Sequence, residues 1–285
     1  MSMYTLIDGK ETARCIRAEI KEKVKIQKER TGKTPALAVI LAGDDPARKV
    51  YVASKEKACG WVGIRSLQLK FDSDVSEETL LSEIKRLNED PGINGILVQL
   101  PLPGHISEEN VLRAISPEKD VDGFHPMNAG ELMRKGALLE PCTPAGVIEL
   151  LKRYSVPLAG ANAVVIGRSN IVGKPVAMML LRENCTVTVC HSKTKDLTSI
   201  LKNADIVVSA IGKAHMITGD MLKKGAAVID VGINRLEDGS ITGDVDFKSA
   251  KNEAGAITPV PGGVGPMTIA MLLSNTLRAF CEQNG

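Results

Sequence analysis

The sequence carries no excess of charge of either sign. Its 36 Lys and Arg against 34 Asp and Glu give a formal net charge of +2, which leaves no broad basic field to hold a polyanion and sets nucleic acid aside as a partner. No apolar run approaches the length of a membrane span, and the amino terminus reaches Asp8 without one. A membrane segment is therefore not expected, and the location reads as cytosolic. The six cysteines, at positions 15, 59, 142, 185, 190 and 281, have no short paired spacing. That removes the zinc and dithiol-exchange patterns, no metal site is expected, and the thiols read as buried small hydrophobes.

What is present is an alternation of short apolar runs and amphipathic stretches over 285 residues, more chain than one core needs. Residues 11–30 place Ala13, Ile16, Ile20 and Val24 on one stripe between charged residues, an amphipathic helix. The run PALAVILAG follows, a strand buried on both faces, closed by a turn over Gly43, Asp44, Asp45 and Pro46. The spacing then predicts a helix over 47–58, a strand over 65–71, a helix over 76–88 opened by a Ser cap, and a strand over 95–100. After Pro141 and Pro144 the pattern resets, with strand-like runs at 163–167, 186–190, 205–212 and 226–232 and helices between the first three. Strands separated by helices make parallel sheets. The expected fold is two α/β domains with a cleft between them: residues 1–142, then a Rossmann-like dinucleotide domain over 143–266. A helix over 267–285 is expected to pack back on the first domain.

AVVIG runs directly into RSNIVGKP, so a glycine turn joins a strand to a helix that Pro175 can start. A dinucleotide site needs that context, although Ser169 stands at the middle-glycine position between Gly167 and Gly173. A plain tight turn without a ligand is the competing interpretation. About twenty residues on, where an NAD site carries an acid for the ribose hydroxyls, the chain has Cys190, His191, Ser192, Lys193 and Thr194 and no carboxylate. With Arg168 in the glycine turn, that composition favours NADP over NAD. Lys193 by itself reads more readily as a solvated surface charge than as a phosphate contact.

Tyr51 and Lys55 are four apart on one helix face, and Gln99 ends the third strand just before LPLP. In a parallel sheet these residues emerge at the same carboxyl edge, where open α/β sheets bind ligands. Asp122 follows nearby. A Tyr four residues before a Lys also occurs in short-chain dehydrogenases, but there the pair lies downstream of the glycine turn, and here it lies far upstream.

YVASK, VQLPLP, KDVDGF, GRSNIVGKP and PVPGGVGPMT occur in this order across nearly the whole chain. Together they make the chain closely resemble the bifunctional methylenetetrahydrofolate dehydrogenase/cyclohydrolase family. The resemblance implies NADP-dependent oxidation of 5,10-methylenetetrahydrofolate and hydrolysis of the methenyl product to 10-formyltetrahydrofolate. It implies that Lys55 is the key residue of the hydrolytic step, that Gln99 hydrogen-bonds to it, that Tyr51 packs on the aminobenzoate ring and that Asp122 anchors the pterin. Pro261, Gly262 and Gly263 are expected to line the folate site. Gly167, Arg168, Ser169, Gly173, His191 and Ser192 are expected around the cofactor phosphates, and Ile233 beside the nicotinamide. The resemblance also implies a homodimer formed through the nucleotide domain. A dehydrogenase of another small acid, a monofunctional dehydrogenase and a catalytically silent folate- or nucleotide-binding regulator are the alternatives.

Overall fold

The computed structural model describes residues 4–44, 46–134 and 137–285, with the side chains of 46–50 outside the description. Asp45, one residue of the expected turn, therefore lies outside the described residues. The chain divides into two compact units, Cys15–Cys142 with Ile269–Gly285, and Thr143–Thr268 with the described residues up to Arg14.

The first unit is built on a three-stranded parallel sheet. Ala36–Ala42 lies in its centre, flanked by Arg65–Phe71 on one side and Gly95–Val98 on the other. All seven residues of the central strand are buried, as its unbroken apolar run requires. The helices Pro46–Val62 and Glu77–Glu89 make the crossovers. Ser76 caps the second of these by accepting from the Thr79 N–H at 3.1 Å, with Glu77 and Glu78 in its first turn favoured by the helix dipole. Its Leu80, Ile84 and Leu87, spaced by four and three, pack into a core with Ile40, Ile96, Val98, Val111 and Ile115. Because the chain leaves the central strand toward one neighbour and later returns on its other side, the sheet has a topological switch point. It lies between the ends of Ala36–Ala42 and Gly95–Val98.

The second unit holds a six-stranded parallel sheet in the order Thr5–Leu6, Ala256–Ile257, Ala227–Asp230, Ile206–Ser209, Asn162–Ile166, Thr186–Cys190. Its switch point lies beside Asn162–Ile166, whose neighbours are the next strand in sequence on one side and the one after that on the other. The two-residue strand at the amino terminus departs from a boundary at 142. Thr5–Leu6 joins this sheet through Ala256–Ile257, and both residues are exposed, so no buried pattern announced it in the sequence. The last helix begins at Val264, earlier than expected, and ends at Gln283.

One buried cation secures the first unit. The Lys119 ammonium, at 6% exposure, donates to the carbonyls of Leu87 at 3.0 Å, Asn88 at 2.8 Å and Asp90 at 2.8 Å, closing the carboxyl end of Glu77–Glu89. These are carbonyls that a helix end leaves without intrahelical donors. Lys119→Met keeps the bulk but removes every donor, and is expected to lower stability by about 2 kcal/mol. A shift of the urea midpoint to lower concentration, relative to the native chain, checks this.

Candidate active site

At the switch point of the first unit the helix after the central strand presents Tyr51 and Lys55 on one face. Gln99 follows directly on the strand Gly95–Val98. Lys55 is only 4% exposed, and its ammonium donates to Gln99 Oε1 at 3.0 Å. Gln99 in turn donates from Nε2 to the Leu100 carbonyl at 3.0 Å, which fixes the amide with its acceptor toward the lysine. The Tyr51 ring lies under the same nitrogen, with Nζ 4.5 Å from the ring centre.

Burial holds the Lys55 amine below its ordinary pKa, and the Asp122 carboxylate opposes that shift. Asp122 is pushed the other way, above the usual carboxylate range, again by loss of hydration, with Lys55 opposing and Asp120 adding to the rise. Burial also raises the Tyr51 hydroxyl, so the phenol stays protonated. Desolvation thus favours the neutral form of each group, while attraction between Lys55 and Asp122 favours the charged pair. A lysine balanced in this way accepts and releases a proton far more readily than one in water.

Two contributors were not singled out from the sequence. Cys142 is buried, as anticipated for the thiols, but its Sγ–H donates to the Val121 carbonyl at 3.2 Å, next to Asp122. Asn275 Nδ2 donates to the same carbonyl at 2.9 Å and to that of Glu140 at 2.8 Å. Together they fix the backbone that carries Asp122. The neighbouring Asp120 is also buried and accepts from the His125 N–H at 2.7 Å and from Asn128 Nδ2 at 3.0 Å. An acid alternating with apolar residues in KDVDGF was the only signal available for it.

In the second unit the glycine turn stands at the switch point. Gly167 has φ +122°, and a Cβ there would run into the Ala210 carbonyl oxygen. A Cβ on Gly173 would strike the Gly167 carbonyl. Both positions therefore require glycine to let the helix Gly173–Arg182 start against the end of Asn162–Ile166. Ser169 Oγ accepts from the N–H groups of Val172 at 3.2 Å and Gly173 at 3.3 Å, which leaves its proton to donate outward. Arg168 and Ser169 are exposed. The Gly167 N–H donates to the Cys190 carbonyl at 2.9 Å, tying this turn to the end of the second strand. There, His191 Nδ1 accepts from the Lys193 N–H at 3.1 Å and the His191 N–H donates to Thr194 Oγ1 at 2.8 Å, and Ser192 is exposed between them.

Ile233 is 67% exposed, unusual for its type. It lines a cavity of about 170 Å³ together with Asp230, Pro261, Gly262 and Gly263. The structure thus sets the three residues expected to line the folate site beside the one expected at the nicotinamide, all within the second unit, whereas the cluster around Lys55 belongs to the first.

Comparison with known proteins fits both halves. Residues 7–122 match the catalytic domain, and residues 141–284 the NAD(P)-binding domain, of tetrahydrofolate dehydrogenase/cyclohydrolase. The chain belongs to the tetrahydrofolate dehydrogenase/cyclohydrolase family. It is 58% identical to the bifunctional protein FolD of Nitrosomonas europaea over 275 residues, 96% of this chain and 93% of that protein. The bifunctional FolD of Campylobacter jejuni superposes with a TM-score of 0.95 at 50% identity, covering 98% of this chain and 99% of the other. The Trypanosoma brucei dehydrogenase-cyclohydrolase, solved with NADP cofactor and inhibitor, gives a TM-score of 0.95 at 41% identity, covering 99% of each chain. The glycine turn lies within the segment that matches the NAD(P)-binding domain.

The carbonyl contact at Gly173 gives this a direct check. Gly173→Ala is expected to push the helix start away from Gly167 and to raise the Kd for NADP by about tenfold or more, worth ~1.4 kcal/mol. Titration of NADP against the variant by fluorescence measures it.

Proposed function

We propose that the chain performs the two reactions of its family with a division of labour between its units: the glycine turn and Ile233 hold NADP, and the cluster around Lys55 holds the folate and moves its protons. The first reaction oxidises 5,10-methylenetetrahydrofolate to the methenyl cation, and the second hydrolyses that cation to 10-formyltetrahydrofolate. The observation that carries this reading is the buried Lys55 amine on Gln99 Oε1, with Tyr51 against it and Asp122 opposing its deprotonation.

For the cofactor, the residues present fit. Gly167 and Gly173 clear a cradle that a Cβ would fill, Arg168, Ser169 and Ser192 offer donors, and no carboxylate stands at 190–194 to repel a 2′-phosphate. The name of the Trypanosoma brucei relative, which reports bound NADP, supports the choice of NADP. NADP supplies the acceptor for the hydride that leaves the methylene carbon. Lone pairs on the folate's own nitrogens drive that departure, so the protein's task in this step is alignment.

Hydrolysis asks more of the side chains. Water adds to the methenyl carbon and gives one proton to the Lys55 amine, which passes it to the leaving nitrogen as the carbon–nitrogen bond breaks, while the remaining hydroxyl proton leaves to solvent as the formyl C=O forms. Gln99 fixes one N–H of the neutral amine, so the lone pair is directed away from the amide and is free to take the proton. Asp122, raised in pKa by burial, hydrogen-bonds to the pterin, and the Tyr51 ring offers its face to the aminobenzoate group.

Among the described residues no helix is long and apolar enough to cross a membrane. Six free thiols fit a reducing, cytosolic location. A homodimer through the second unit is supported by the end strand Thr186–Cys190, which leaves one edge unpaired within the chain and exposes Val189.

The experiment supplies tetrahydrofolate with formaldehyde and follows reduced cofactor, the methenyl chromophore and the formyl product, with NADP and NAD in parallel. Lys55→Met is expected to lower hydrolysis by about 100-fold or more and to damage hydride transfer less. Undiminished formyl production by this variant would remove Lys55 from the mechanism.

A further inference from the structure

Two acids in the second unit take no part in the steps above, and both are buried. Asp230 is 3% exposed and Asp244 is fully buried, and among the described residues neither forms an ion pair. Asp244 instead gathers four donors. Oδ1 accepts from the Lys213 N–H at 2.9 Å and from Asn234 Nδ2 at 3.0 Å. Oδ2 accepts from the Ile211 N–H at 2.8 Å and from Ser209 Oγ at 3.1 Å. Asp230 accepts from the N–H groups of Gly232 at 2.9 Å, Asp244 at 3.0 Å and Val245 at 2.9 Å.

The two carboxylates therefore clasp the segments that follow Ile206–Ser209 and Ala227–Asp230 to the chain at 244–245. The fit is reciprocal. A Cβ on Gly232 would strike the Asp244 carboxylate, and a Cβ on Gly243 would strike that of Asp230. Between the anchors stands Ile233, with the residue before it held by Asp230 and the residue after it held by Asp244. An exposed isoleucine on an unanchored loop would sample many positions, and these two bonds pin it from both sides.

We propose that Asp244 and Asp230 are positioning residues for hydride transfer: they hold Ile233, and with it the wall of the cavity that it shares with Gly262 and Gly263, in place against the nicotinamide. This rests on the assignment of Ile233 to the nicotinamide side given above. Burial pushes the Asp230 carboxyl up to about 6, against the pull of its three backbone donors. Retaining so costly a group beside a second acid fits a positional demand better than a demand for stability.

Isosteric replacement distinguishes the roles. In Asp244→Asn one acceptor oxygen becomes an NH₂ group that faces two donors, so either the Lys213–Asn234 pair or the Ile211–Ser209 pair is lost. Asn234→Ala is milder, since it removes the contact next to Ile233 and leaves Asp244 three donors. The readout is the ratio of dehydrogenase to cyclohydrolase turnover, with KM for NADP measured separately from kcat. Asp244→Asn is expected to lower that ratio by about tenfold or more. Asn234→Ala is expected to lower it by a smaller factor, with a rise in KM for NADP beside it, and decides the matter if Asp244→Asn is not recovered folded. An unchanged ratio in the variants, or equal loss of both activities, overturns the proposal. A native chain that reduces neither NADP nor NAD would refute the assigned activity itself; a fully active native chain with unaltered variants would refute only the positioning role.

Discussion

A lysine amine removed from water must either find an acceptor or give up its proton, and Lys55 is held at the balance between the two. Among the described residues it donates to a neutral amide, which solvates the ammonium less well than a carboxylate would. The main counter-charge acting on it, Asp122, is itself raised in pKa by burial. An acid in place of Gln99 would stabilise the ammonium further, and loss of the Asp122 charge would shift the amine further toward its neutral form. Hydrolysis needs the intermediate condition, in which the amine can take a proton from water and later release it.

That balance depends on the sheet. Parallel strands send every following loop to the same edge, so Lys55, Gln99 and Asp122 meet although they lie 44 and 23 residues apart along the chain. The second unit repeats the device around Asn162–Ile166. There the requirement is close backbone approach, met by Gly167 and Gly173, and not a balanced charge. On the proposed assignment, one architecture serves proton movement in one unit and phosphate binding in the other, through the residues placed at the strand ends.

Much of this was legible in the sequence because it rests on local pattern. Unbroken apolar runs marked Ala36–Ala42 and Asn162–Ile166, and Ser76 with the following acids marked a helix start. Strand order alone brought Lys55 and Gln99 to one sheet edge, and the hydrogen bond between them was what the family resemblance implied. The remainder depends on long-range contacts that leave little trace in composition. Thr5–Leu6 becomes a strand only because Ala256–Ile257 offers an edge. Gly262 and Gly263 join Ile233 through a turn whose path no periodicity reveals. Asp230 was visible as an acid inside the run AAVIDVG, but its partner Asp244 sits in an ordinary polar loop sequence, and only the fold shows that each fills the space left by the other's glycine.

The account turns on the protonation of one amine, and nitrogen NMR of the lysine side chains across a pH titration reads it directly. The Lys55 resonance, assigned by its absence in Lys55→Met, is expected to titrate below the ordinary value of 10.5, and lower still in Asp122→Asn, where the opposing charge is gone. A Lys55 that titrates at or above the ordinary lysine value in the native chain would contradict the account.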